Sequence, residues 1–149
     1  MKDFQLRNDK KLLFRNDPAA DLAALTEGKK VLFVYGGGSV KTNGCYDDVK
    51  KAMESAGGTL YELANASREL EIIEKGIALA KEKSIELVIG AGGANIMDCA
   101  KLIAFGTYHA DDLWAYIKSE KNPYGLKKLP LILMPTYPSS GSEYGLGAA

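Results

Sequence analysis

Three times in this chain a run of apolar side chains leads straight into a turn built from glycine or other small residues. Val31-Leu32-Phe33-Val34-Tyr35 meets Gly36-Gly37-Gly38-Ser39, and Leu87-Val88-Ile89 meets Gly90-Ala91-Gly92-Gly93-Ala94-Asn95. A third run, from Leu129 to Met134, meets Pro135-Thr136-Tyr137-Pro138-Ser139-Ser140-Gly141-Ser142-Glu143. Strands that are apolar throughout, not alternating, are buried on both faces, as in a parallel sheet. A parallel sheet needs crossover helices, and the intervening sequence supplies them. Residues 45–56 carry Val49, Ala52 and Met53 on one face and end at Gly57-Gly58; residues 69–83 carry Ile72, Ile73, Ile77 and Ala80; residues 96–105 carry Ile96, Ala100, Ile103 and Ala104. Thr59 to Leu63 reads as one more strand, and a short helix and loop are expected between Asp111 and Tyr124. The predicted fold is α/β, a Rossmann-like sheet with helices on both faces and right-handed crossovers.

Ahead of this unit, Phe4-Gln5-Leu6, the turn Asn8-Asp9 and Leu12-Leu13-Phe14 predict a β-hairpin. Asp17-Pro18 then opens a helix carrying Ala19, Leu22, Ala23 and Leu25, with Gly28 closing it. At 149 residues the chain is the size of one domain. Nineteen basic and nineteen acidic residues leave no net charge, so no field draws it to nucleic acid or an anionic membrane surface. No apolar run approaches the ~18 residues of a membrane span, and the first residues lack the apolar core of a secretory signal. Cys45 and Cys99 show no CxxC spacing, which fits a reduced cytoplasmic protein better than a disulfide scaffold. The single histidine, His109, excludes a multi-histidine metal site made by these residues alone, so no tight binding of Fe²⁺ or Zn²⁺ is expected of the isolated chain.

In open parallel sheets, ligands sit outside the carboxyl ends of the strands. Three such ends here carry small-residue loops, 36–39, 90–95 and 138–142, where a phosphate can approach backbone N–H groups. Together they predict a site for a nucleotide or dinucleotide, whereas one such loop alone is as readily a tight corner. The spacing G-x-G-x-x-G is not kept, since Lys41 and Asn95 stand where the last glycine belongs.

The segments Val-Tyr-Gly-Gly-Gly-Ser-Val-Lys (34–41), Gly-Gly-Ala-Asn-Ile-Met-Asp-Cys-Ala-Lys (92–101) and Pro-Ser-Ser-Gly-Ser-Glu (138–143) resemble the amino-terminal domain of iron-containing (group III) alcohol dehydrogenases. Within that family they are most similar to the butanol dehydrogenases and NADPH-dependent aldehyde reductases. The resemblance runs the length of the chain and implies the dehydroquinate-synthase-like form of the fold, hairpin included. It implies hydride transfer between a primary alcohol or aldehyde and NAD(P), with Fe²⁺ or Zn²⁺ held by an aspartate and three histidines of a second, all-helical domain. Residues 1–149 would then be the NAD(P)-binding domain alone, without metal ligands or catalytic residues of their own.

Carried over by position, the resemblance assigns Gly37, Gly38 and Ser39 to the adenosine-ribose end of the cofactor. It assigns Gly92, Gly93, Ala94 and Asn95 to the pyrophosphate loop, and Thr136, Ser139 and Ser140 to the loop running towards the nicotinamide. Two positions depart from the family pattern: Ala94 replaces a glycine and so resists φ > 0, and Asn95 replaces a serine. Asn95 would cap the following helix, with Asp98 in the capping-box position. The Asn-Pro that the family carries after the second strand is missing, the stretch reading Asn65-Ala66-Ser67. The first loop has no carboxylate to repel a 2′-phosphate and has Lys41 nearby, so NADP(H) is expected over NAD(H). Glu62, at the end of the second strand, argues the other way, because an acidic residue there holds the ribose diol in ordinary dinucleotide folds.

Several residues have plainer readings. Asp98 and Lys101, three apart, read as a cap and a surface pair. His109 reads as a loop residue, Cys45 and Cys99 as small core residues, Glu143 as a helix start, and Trp114, Tyr116 and Tyr108 as a local packing cluster. Leu131, Leu133, Met134, Tyr137, Tyr144 and Leu146 are expected to form an apolar face that a second domain covers, which predicts a homo-oligomer or a need for a partner. The alternative to an enzyme's cofactor-binding half is a non-catalytic nucleotide-binding or dimer-forming remnant. A third reading, a relative of dehydroquinate synthase, is opposed by the Pro-Ser-Ser-Gly-Ser-Glu loop.

Overall fold

The structure, a computed structural model, describes residues 10–109, 112–119, 121, 125–145 and 148. The four apolar runs form one sheet: β1 (Lys30–Tyr35), β2 (Thr59–Leu63), β3 (Leu87–Gly92) and β4 (Leu131–Pro135). All are parallel, in the order β2-β1-β3-β4. The helices are α1 (Ala19–Thr26), α2 (Ser39–Thr42), α3 (Cys45–Ala56), α4 (Leu70–Glu82), α5 (Ala94–His109) and α6 (Leu113–Lys118).

The two-residue period of a strand divides β1 between two cores. Leu32 and Val34 point to one face, with Val88, and pack beneath Ile73 and Ile77 of α4 and Ala100 and Ile103 of α5. Val31, Phe33 and Tyr35 point to the other, with Ile89, and pack against Leu22 of α1 and Val49 and Met53 of α3. Leu32 and Phe33 are wholly buried, and each contributes ~1.5–3 kcal/mol of transfer free energy. The sheet is thus covered on both faces, as continuous apolar strands require.

Glycine permits the close fit of α5 on β3. A Cβ at Gly90 would stand 2.5 Å from Cβ of Ala100 and 3.2 Å from Leu133. Two residues on, Gly92 has φ +153°, which turns the chain out of the strand and into the helix.

Two expectations about the ends of the chain change. The first half of the hairpin, Phe4 to Leu6, lies outside the described residues, and no strand forms at 12–14. Leu12 and Phe14 are instead 68% and 88% exposed, so no apolar neighbour rewards pairing there. His109 is not in a loop: it ends α5, stacks on Phe105 with ring centroids 4.6 Å apart, and its Nε2 meets the Lys127 carbonyl. Cys99 is buried and Cys45 half-buried; burial pushes both thiols up to about 11. Around α6, Tyr116 packs on Phe105, while Trp114 and Tyr108 stay about half exposed beneath Lys118 and Lys127. Glu143 lies in a turn closed by the Tyr144 and Gly145 N–H groups on the Gly141 carbonyl, not at a helix start.

Candidate nucleotide cleft

The carboxyl ends of β1, β3 and β4 meet around a cleft of about 580 Å³. The first glycine turn contributes Gly36, Gly37 and Ser39; the second contributes Ala91, Gly92, Gly93, Ala94, Asn95 and Ile96; the third contributes Thr136 and Tyr137. The loops are tied to one another through their backbones. Thr136 N–H donates to the Gly92 carbonyl (3.1 Å), Asn65 N–H to Gly36 (3.3 Å), and Ala66 N–H to Tyr35 (2.9 Å). Asn65, where the Asn-Pro is missing, takes φ +54°, a conformation asparagine tolerates.

Seven of the ten residues singled out from the sequence border the cleft: Gly37, Ser39, Gly92, Gly93, Ala94, Asn95 and Thr136. Gly38, Ser139 and Ser140 do not; all three are exposed. Thr42, Asn43, Ile96 and Tyr137 also border it and were not singled out for it. Asn43-Gly44 is a turn signal that would have placed the first two beside the loop. Tyr137 was assigned to an apolar interface, yet its ring lies over Gly93, so close that a Cβ there would meet its hydroxyl.

The capping expectation is corrected. The Gly93 carbonyl accepts from Ile96 and Met97 N–H, so α5 starts at Ala94, and Asn95 lies inside the first turn. Ala94 needs no positive φ, because that conformation falls on Gly92. Asp98 is not a capping residue, nor is its pair with Lys101 on the surface. The Asp98 side chain is 6% exposed and that of Lys101 is 11% exposed. Ser142 Oγ donates to Asp98 Oδ1 (2.6 Å) and accepts from Lys101 Nζ (2.7 Å), which lies 3.3 Å from the same carboxylate oxygen. Arg68, from the segment after β2, approaches the other oxygen at 3.9 Å. One buried carboxylate therefore joins the third loop to α5 and faces the segment after β2.

Glu62 is also engaged. Its carboxylate accepts from Tyr35 Oη (2.7 Å), Tyr46 Oη (3.1 and 3.2 Å to its two oxygens) and Lys50 Nζ (3.3 Å). Burial pushes this carboxyl up, but the donors Tyr35, Lys50 and Tyr46 and the Lys50 charge outweigh it, holding the group below the usual carboxylate range. Burial and the neighbouring Glu62 push the Tyr35 phenol well above its usual range.

A cleft walled by small residues and backbone at a helix start suits a pyrophosphate. It does not suit a metal: among the described residues no three His, Cys, Asp or Glu side chains come together.

A parallel four-stranded sheet with helices on both faces and a small-residue cleft at the carboxyl edge of its strands is a Rossmann-like architecture. More specifically, a sequence profile of the iron-containing alcohol dehydrogenases matches residues 9–148, and the chain belongs to that family. It is 34% identical to a probable NADH-dependent butanol dehydrogenase 1 of Bacillus subtilis, over 99% of this chain and 39% of that protein. It is 25% identical to the NADPH-dependent aldehyde reductase YqhD of Escherichia coli, again over 99% and 39%. The crystal structure of NADH-dependent butanol dehydrogenase A from Thermotoga maritima superposes with TM-score 0.83 and 29% identity, covering 95% of this chain and 36% of that one. The chain thus spans about two fifths of the length of the curated relatives it matches.

Proposed function

We propose that residues 1–149 form the nicotinamide-dinucleotide-binding part of an alcohol dehydrogenase or aldehyde reductase acting on small primary alcohols and aldehydes with metal assistance. The observation that carries this reading is the cleft itself, where three loops offer small residues and backbone at one strand edge. Gly92, Gly93, Ala94 and Asn95 would receive the pyrophosphate on backbone N–H groups at the start of α5. Gly37, Gly38 and Ser39 would flank the adenosine ribose, and Thr136, with Ser139 and Ser140 further along the loop, would border the nicotinamide half. The bound cofactor would supply or accept the hydride, and the protein's part is to fix its orientation and shield it from water.

The first loop carries no carboxylate, Lys41 stands two residues beyond Ser39, and Glu62 is engaged by other side chains. These features support NADP(H) over NAD(H), although the butanol dehydrogenases above are named as NADH-dependent. No helix among the described residues is long and apolar enough to cross a membrane. Two unpaired thiols, Cys45 and Cys99, fit a reducing, cytoplasmic setting. Fluorescence titration of NADPH and NADH with the purified chain tests the reading. Saturable binding of at least one is expected; no saturable change with either overturns it.

A further inference from the structure

Five side chains, Tyr35, Lys41, Tyr46, Lys50 and Glu62, converge beside the first glycine turn. Tyr35 immediately precedes Gly36 of the cleft, and Glu62 lies one residue short of the carboxyl end of the neighbouring strand. The Tyr35 and Tyr46 rings meet edge to face, with centroids 5.5 Å apart. Lys41 Nζ stands 5.2 Å from the Tyr46 centroid and 5.9 Å from that of Tyr35, while Lys50 Nζ is 5.9 Å from the Tyr46 ring. Tyr46 thus serves two groups at once. Its hydroxyl reaches both oxygens of Glu62, and its ring receives an ammonium.

A carboxylate at the end of the second strand is the group that would accept hydrogen bonds from a ribose diol. Here three donors already serve the carboxylate: Tyr35 on one oxygen, Lys50 on the other, and the single Tyr46 O–H shared between them. Taking up a diol would require giving up bonds already made. Lys41, held over the two rings, leaves the same corner with a cation on its side. We propose that Tyr46 is a specificity-determining residue of the nucleotide cleft: it keeps Glu62 occupied and Lys41 in place, so that the site prefers an adenosine ribose bearing a 2′-phosphate to one with a free diol. The inference rests on the nucleotide reading above and adds the residues that set its selectivity.

The test uses two probes that lack the nicotinamide, 2′,5′-ADP and ADP, titrated calorimetrically into the chain. The unsubstituted protein should bind 2′,5′-ADP about tenfold more tightly, equivalent to ~1.4 kcal/mol. Tyr46→Phe keeps the ring but removes the hydroxyl shared between the two Glu62 oxygens; ADP should then bind more tightly and the ratio should fall at least threefold. Adding Glu62→Gln to Tyr46→Phe should return the ratio towards its original value, because no carboxylate is left to take the diol. Lys50→Met frees the carboxylate by a second route and should move the ratio in the same direction, which keeps the test open if Tyr46→Phe fails to fold. An unchanged ratio in the folded single variants, or a double variant no different from Tyr46→Phe, overturns the inference while leaving the nucleotide reading intact. Tighter ADP than 2′,5′-ADP binding in the unsubstituted protein overturns it as well. If neither probe binds that protein, the nucleotide reading fails and the inference falls with it.

Discussion

Asp98 shows how a buried charge can organise a surface loop. Ser142 makes short bonds to both Asp98 and Lys101, which lie 3.3 Å from each other, and all three groups are largely shielded from water. Ser142→Ala removes a hydrogen bond to an ionised partner, so a loss of ~1.5–3 kcal/mol is expected in urea unfolding. Asp98→Ala should cost more, ~3–5 kcal/mol, because it takes the carboxylate away from a buried ammonium. Glu62 gives a prediction about pH. Its carboxyl lies below the usual range when folded, so its contribution is present above the unfolded value of ~4.3 and is lost as pH falls through the folded value. The stability difference between the unsubstituted protein and Glu62→Gln should therefore be largest near neutrality and shrink under acid, as acid-titrated unfolding followed by circular dichroism would show. A difference that does not vary with pH would contradict it. The three-residue spacing made the Asp98–Lys101 pair legible in the sequence. Their partner Ser142 was not, being 44 residues from Asp98 and brought there only by the crossover to β4. Glu62 was legible as a carboxylate at a strand end, but the phenols that occupy it come from β1 and α3.

The elements themselves were the most readable level. The four strands, α3 and α4 appear close to where the apolar period put them, because burial on one or two faces leaves a repeating pattern in the chain; β3, however, runs on through Gly90-Ala91-Gly92, which read as loop, and β4 starts at Leu131 instead of Leu129. Two helices escaped that logic. The four residues of α2 are too few to show a period. The helix α5 starts two residues earlier and ends four later than its stripe implied, since the bend at Gly92 sets its start and His109 caps its length by packing on Phe105. The glycines separate by element. Gly90→Val would drive a side chain into α5 and should prevent folding or cost at least ~3 kcal/mol. Gly38→Ala, at φ −75° with no heavy atom within 4 Å of the new Cβ, should stay within ~0.5 kcal/mol of the parent. Thermal melts of the two variants check both; equal effects would mean that the contact between β3 and α5 is looser than described.

For the whole molecule, the described residues form an apolar recess beside β4, at one edge of the sheet. Between α5, α6 and β4 is a groove of about 720 Å³ whose apolar walls include Leu102, Phe105, Leu113, Ile117, Leu131 and Leu133. Of the apolar face expected from the sequence, Leu131 and Leu133 line this groove, Met134 packs into the core on the α3 side, Tyr137 joins the cleft, Tyr144 is partly exposed, and Leu146 lies outside the described residues. With no net charge to oppose contact, the isolated chain should associate at micromolar concentration in a sedimentation run and bind a hydrophobic dye. A clean monomer that ignores the dye would show that the groove closes on itself. The tie between Ser142 and α5 bears on how such a domain can be re-engineered. A loop whose anchor belongs to another loop's helix is not an interchangeable part. Grafting a foreign segment over residues 136–142 would remove the hydroxyl that bridges Asp98 and Lys101, unless one returns at position 142. Segments of this third loop should therefore be exchangeable between relatives only in sets that carry the three residues together.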